Sequence, residues 1–533
     1  MKIRPSIDWR GEGLHVVLIL LAGVLARIPF QKAYDPVWSG DSHGYTDFYR
    51  LLTQHIFILG ERTPVYPLFL GLAKWLAAPS QAYFDWHVLY VATVMQSVVG
   101  VVLSTLMFYI MRALRLRTSI AMGASVFLVT VPAVCMYEMN ILNMSLSFSL
   151  LVLVVALFFA TIKRVKAGRS ILAPALGTGA AMSLAVLNRP ELLVFAVLLL
   201  LMMVTAAWCW RRKNSDAINA RGLLRAAVFM AAPTACAVFG WMLLMYIGIG
   251  QFRITTLDGW NSSRTVYNLF DRVAPEDRAI GSLMSEAYLL QFNRHADVNL
   301  REIMWQAEKK LLSNYESYPI EKTAFDPTFL NRPGIRFGRS TLGLIQVPCN
   351  AEPTAYCWQN MRRKIDVGDY LGRVSWKLAR NYPREALHNV VQNYFEESFN
   401  FHYLGGKPAI EGYRTISIGG TAKNEALIGM TTWAINAEAP LLVVFYLVTL
   451  GFFFVTPALL WRKADEHWVN DIAVSALAVA SVGTMVATCV LAGFNRIYSL
   501  PHIVVFTICA AYALEHRSRI LAAIIPSVAK KSL

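Results

Sequence analysis

The chain has 533 residues, 56% of them apolar and only 16% charged, with a mean hydropathy of +0.43. Soluble domains are roughly a quarter charged, so an ordinary water-soluble enzyme is excluded and the class that fits is a polytopic membrane protein. A net charge of +16 in a soluble chain would point to nucleic acid; here the placement of the charges explains it without such a partner.

Apolar runs able to cross about 30 Å of hydrocarbon fall near residues 14–30, 88–111, 119–137, 141–161, 171–188, 191–210, 226–249, 439–461, 471–493 and 497–514. They predict about ten transmembrane helices. Alternate connections carry Lys2, Arg4 and Arg10; Arg112, Arg115 and Arg117; Lys163, Arg164, Lys166 and Arg169; Arg211, Arg212, Lys213, Arg221 and Arg225; Arg462 and Lys463; and Arg517, Arg519, Lys530 and Lys531. Basic residues outnumber acids there about three to one, so the positive-inside rule places that face and both termini in the cytoplasm of an inner membrane. The first span lacks a small-residue cleavage site and further spans follow it, which reads as a retained anchor.

The opposite, outer face then holds a loop at 31–87 and a large segment at 250–438. This divides the chain into an N-terminal membrane module (1–249), the outer-face segment (250–438), and the C-terminal spans with a cytoplasmic tail (439–533). The first loop reads as two interfacial helices, YTDFYRLLTQHIFIL and PVYPLFLGLAKWLAAP, each apolar on one side. In the outer segment, EDRAIGSLMSEAYLLQF, NLREIMWQAEKKLLSNY and YLGRVSWKLARNYPREALHNVVQNYFEESF carry apolar residues at helical period. The fold class expected is therefore all-α. Five cysteines lie in apolar runs; Cys349 and Cys357 lie in the Pro-containing stretch PCNAEPTAYC. On an oxidising face a disulfide is favoured there over a metal, since no His or further Cys is near.

Polar residues in the short outer turns of an apolar bundle read as site residues by default. Asp41 precedes a helix beginning near Tyr45, and reads equally as a cap or as a catalytic carboxylate; His43 and Tyr45 accompany it. In Arg62-Thr63-Pro64-Val65-Tyr66-Pro67 the two prolines set a turn; Arg62 and Tyr66 would then face the interface, where an arginine suits a phosphate oxygen. Arg189 and Glu191 lie in the turn between spans five and six, where they form either a salt bridge or part of a site. Arg496 and Tyr498 precede the last span, and Glu138 is the lone acid in its connection. One carboxylate and several arginines at the bilayer surface suit transfer of a group from a lipid phosphate. Arginines would stabilise the phosphate as it leaves, and one carboxylate would take the acceptor's proton. The sequence shows no P-loop, GxSxG, HExxH or Rossmann fingerprint in context.

At these residues the chain resembles the GT-C superfamily of integral membrane glycosyltransferases, in particular bacterial relatives of the dolichyl-phosphate-mannose protein mannosyltransferases and the lipid A aminoarabinose transferases. GDSHGYTDFYRLL and RTPVYPLFLGL look like the family's first-loop pattern, NRPELL like its mid-bundle turn, NRIYSLP like its late Arg-aromatic-Leu-Pro stretch, and ARNYPREAL like an outer helix that precedes the late spans. The resemblance implies an inverting enzyme with a polyprenyl-phosphate-sugar donor and an outer-face acceptor that is a lipid, glycan or protein. It implies Asp41 as the base and Arg62, Arg189 and Arg496 as donor contacts. Ser42 stands where many relatives carry a second acid, and Asn143-Met144-Ser145 where another Glu is common. No cofactor is expected, and a divalent metal stays open. Two other readings compete: a lipid-linked oligosaccharide polymerase or ligase, and a transporter of a lipid-linked sugar, which would normally show internal repeats.

Overall fold

The structure, a computed structural model, describes residues 9–37, 42, 44–46, 62–77, 86–213, 217–249, 251–256, 258–292, 318, 358–399, 425–461, 467–491 and 496–524. It is all-helical among those residues, apart from one isolated parallel bridge between Val37 and Asn140. The membrane module comprises α1 (Trp9–Ala33), α2 (Val65–Ala77), α3 (Trp86–Ala113), α4 (Thr118–Thr130), α5 (Pro132–Glu138), α6 (Met144–Lys166), α7 (Leu172–Asn188), α8 (Leu192–Lys213) and α9 (Ala217–Ile249). After the outer segment come α14 (Glu425–Trp461), α15 (Trp468–Leu491), a 3-10 segment Arg496–His502, and α16 (Ile503–Ile524).

Each of the ten apolar runs lies on this set. Among the described residues eight helical stretches are long and apolar enough to cross a membrane. The other two are α7, which has 17 residues, and α16, whose last turns carry Glu515, Arg517 and Arg519. The chain is a polytopic membrane protein.

Van der Waals packing and small residues hold such a bundle together, because lipid tails remove the hydrophobic drive between helices. Gly179 on α7 shows this. A Cβ there would strike the Met230 carbonyl of α9 and lie 3.0 Å from Pro233 Cδ, so only glycine allows the two backbones to approach so closely.

Among the described residues the arginine-rich connections gather at one end. Glu12 pairs with Arg112 at 3.6 Å, and Arg117 pairs with Glu515 at 3.2 Å. Trp210 meets Trp468 at a tilt, with ring centroids 5.1 Å apart, and Tyr512 donates to Asp471 at 2.5 Å. Two tight helix endings close this end with the same 6→1 and 5→2 pattern. Gly168 (φ 63) follows α6, and Arg115 (φ 64) follows α3. At the Arg115 turn the Leu116 amide reaches the Met111 carbonyl and the Arg115 amide reaches that of Arg112.

The segment between α9 and α14 builds its own core. It contains α10 (Asp258–Ser263), 3-10 turns at Arg264–Arg272 and Pro275–Asp277, α11 (Arg278–Phe292), α12 (Trp358–Asn381) and α13 (Pro383–Phe399). Val266, Leu269, Phe270, Ile280, Leu371 and Val374 are buried together. Tyr370 donates to Asp277 at 2.6 Å; burial and the adjacent Asp277 push the phenol's pKa up, which keeps it a donor. Arg253 grips Asp369 with two bonds of 2.7 and 2.8 Å. Thr265 ties this unit to the bundle through the Val490 carbonyl at 3.0 Å. The predicted helix at 299–315 and the expected Cys349–Cys357 disulfide lie outside the described residues.

Candidate active site

The end of the bundle opposite the arginine-rich connections brings together landmarks that are far apart in sequence. The anchor is residues 137–145, between α5 and α6. The Val37 amide donates to the Met139 carbonyl at 2.8 Å, and the Ile141 amide returns to the Val37 carbonyl at 3.0 Å. The buried Ser42 hydroxyl donates to the Ile141 carbonyl at 2.9 Å. The first-loop segment is thus pinned to this turn at residues 37 and 42. Asp41 and His43 lie outside the described residues.

Gln96 of α3 organises the layer below. Its amide donates to the carbonyls of Glu138 at 2.7 Å and Asn140 at 3.0 Å. Its oxygen accepts from Tyr66 at 3.1 Å and from Ser145 at 2.8 Å. Tyr66, expected at the interface, is fully buried, and its hydroxyl is committed to this network. Tyr45 meets Tyr66 edge-on with centroids 4.9 Å apart. The Arg62 guanidinium lies over the Tyr45 ring at 4.8 Å, a cation–π contact that orients it. Gly44 leaves room for that arginine, since a Cβ would come within 2.8 Å of Arg62 Nε.

The α7–α8 turn joins from the side. Asn188 and Asn143 bond reciprocally through side-chain amides and backbone carbonyls at 2.7 and 2.9 Å, and Asn188 also donates to Ser147 at 2.6 Å. Thr63 reaches the Asn188 carbonyl at 3.4 Å, linking this turn to the Arg62 segment. Arg189 is buried, with 3% exposure, forms an ion pair with Glu191 and touches the Met144 sulfur. The salt-bridge reading of that turn is therefore realised. The segment Arg496–His502 packs against α6, and His502 Nδ1 is hydrogen-bonded to the Ser481 hydroxyl of α15 at 2.9 Å. The side chains of Arg496 and Tyr498 lie outside the described residues.

Glu138 is 1% exposed and holds Arg27 of α1 at 2.6 Å. Gly100 of α3 makes space for the pair; a Cβ there would strike Glu138 Oε1 and lie 3.1 Å from Arg27 Nη2. Sequence reasoning passed over Arg27, the lone charged residue of the 14–30 run, and Gln96, the lone carboxamide of the 88–111 run, although that isolation was itself the signal. Among the described residues no three His, Cys, Asp or Glu side chains cluster as metal ligands.

No protein-family model and no curated protein matches the sequence. Among solved structures, the chain is similar to the archaeal oligosaccharyltransferase AglB from Archaeoglobus fulgidus in complex with an inhibitory peptide and a dolichol-phosphate. The identity is 15% and the TM-score 0.47, over 97% of this chain and 52% of that one. It is similar to the apo form of the Archaeoglobus fulgidus oligosaccharyltransferase at 13% identity and a TM-score of 0.38, over 92% of this chain and 57% of that one. The chain thus spans about half the length of the protein it matches. That protein is a different enzyme from the mannosyltransferases and aminoarabinose transferases whose motifs the first loop resembles.

Proposed function

We propose that the protein is a GT-C-type membrane glycosyltransferase that moves a sugar from a polyprenyl-phosphate donor to an acceptor hydroxyl on the outer face, with inversion. The observation that carries this reading is convergence. Val37, Ser42 and Gly44–Thr46 of the first loop, and residues 62–66, 138–145, 188–191 and 496–502, lie at or beside landmarks singled out separately in the sequence, and they share one end of the bundle, away from the arginine-rich connections. In the proposed step Asp41 accepts the proton of the acceptor hydroxyl as its oxygen attacks the anomeric carbon. The bond from that carbon to the phosphate oxygen breaks, and its electron pair leaves on the polyprenyl phosphate. Arg62 and Arg496 are the proposed phosphate contacts, and Arg189, which Glu191 orients, is a third candidate donor contact. Tyr66 holds the floor through Gln96. The acceptor, which decides the subfamily, is a lipid, glycan or protein.

The test is transfer in proteoliposomes supplied with polyprenyl-phosphate sugars and an envelope extract. Radiolabel should pass to an extract component with inverted anomeric configuration, and Arg62→Gln should raise the donor KM about tenfold. Retention of configuration, or labelled donor crossing the bilayer without transfer, would reject the reading in favour of a retaining enzyme or a transporter.

A further inference from the structure

Beneath the site lies a buried arrangement that the proposed reaction does not use. The span Thr118–Glu138 is interrupted at Val131 (φ −47, ψ 110), which is followed by Pro132. In a regular helix the Ala133 amide would bond the Val129 carbonyl. Here each half of that bond has a separate side-chain partner. Arg27 Nη1 donates to the Val129 carbonyl at 2.7 Å and to that of Gly23 at 2.9 Å. Glu438 of α14 accepts the Ala133 amide at 2.9 Å. Arg27 Nη2 also reaches Glu138 at 2.6 Å, at the far end of α5. Ionisable side chains from α1 and α14 therefore hold α5 at both ends, in a place where unsatisfied backbone groups are costly.

The consequence lies directly beyond α5. Its next residues, Met139 to Ile141, are those that bond Val37 and Ser42. We infer that Arg27 and Glu438 are positioning residues: they fix the break at Val131, and through α5 set the register of the turn that holds residues 37 and 42. The functional meaning of this clamp rests on the proposed role of Asp41; the clamp itself does not. Glu438 acts here as a hydrogen-bond acceptor, which glutamine can replace and leucine cannot. Arg27 acts as a fork to two carbonyls and a carboxylate, which lysine cannot reproduce.

Amide hydrogen exchange of the full chain in nanodiscs, without substrate, tests this directly. Glu438→Leu and Arg27→Lys should each speed exchange at least tenfold in peptides carrying the Val37 and Ile141 amides. Peptides around Leu371 in the outer unit should stay as protected as in wild type, and Glu438→Gln should match wild type throughout. Unchanged exchange at Val37 and Ile141 in Arg27→Lys and Glu438→Leu overturns the inference, as does acceleration that is equal in the outer unit. If Glu438→Leu does not fold, Arg27→Lys and Glu438→Gln decide alone. In the transfer assay with polyprenyl-phosphate sugars, Glu438→Leu should lower kcat about tenfold with the donor KM unchanged, and Glu438→Gln should restore it. Absence of transfer by wild type would sink the proposed function while leaving the exchange result intact.

Discussion

Arg27 and Glu138 occupy a site in which either charge alone is expensive, since 5% and 1% of their surfaces are exposed. Removing one partner of a buried pair typically costs about 3–5 kcal/mol, because the other is left uncompensated. Arg27→Met should therefore lower the unfolding temperature sharply in detergent, and adding Glu138→Gln should recover much of the loss. If the double variant is no more stable than Arg27→Met, the pair is not the source of the effect. Tyr66→Phe should be far milder, about 1 kcal/mol, because Gln96 Oε1 keeps its bond from Ser145. At this scale the sequence was half legible. Glu138 stood out as the single acid of its connection, but Arg27 lies 111 positions away and no local pattern joins them. Likewise, helical period told which residues of PVYPLFLGL were apolar, but not that Tyr66 would be enclosed by Gln96, Tyr45 and Phe69.

Among the elements, the apolar runs marked the helices well because hydrocarbon imposes a minimum length on each. Their ends were less legible where a charge interrupts the run. The expected span at 439–461 begins as α14 at Glu425, because Glu438 is tolerated inside the helix once the Ala133 amide occupies it. The Arg496–His502 stretch is 3-10 rather than the first turns of the last α-helix, with Pro501 inside it. The short α7 survives by packing between α6 and α9. That contact supplies a prediction: Gly179→Val places a side chain against the Met230 carbonyl and should cost about 1–3 kcal/mol by overpacking. Gly123, with nothing within 4 Å of its Cβ position, should accept alanine without loss. Thermal unfolding of the two variants side by side separates them, and equal melting would refute the packing account.

For the whole molecule, the alternation of basic connections anticipated that the arginine-rich connections would lie at one end of the bundle and the polar landmarks at the other. The core of the outer unit was not legible, because it joins residues near 266–284 to residues near 367–386 across more than eighty positions of unrelated chain. The compartment assigned to each end is open to test. Ser170→Cys, in the exposed α6–α7 turn, should resist an impermeant maleimide in intact cells and label after lysis. Trp376→Cys, at a position 75% exposed on α12, should label from outside. The reverse pattern would invert the topology and put the proposed site on the wrong face.

The central claim is that Asp41 is the base in a transfer from a lipid phosphate. Its most direct test compares wild type with Asp41→Asn in proteoliposomes, measuring donor binding and turnover on the same preparations. The account predicts that Asp41→Asn binds polyprenyl-phosphate sugar within about twofold of wild type and loses turnover by about a thousandfold, within the usual reach of general-base catalysis. Turnover equal to wild type would contradict it, leave Asp41 as a helix cap, and shift the chemistry to the arginines of a polymerase or ligase.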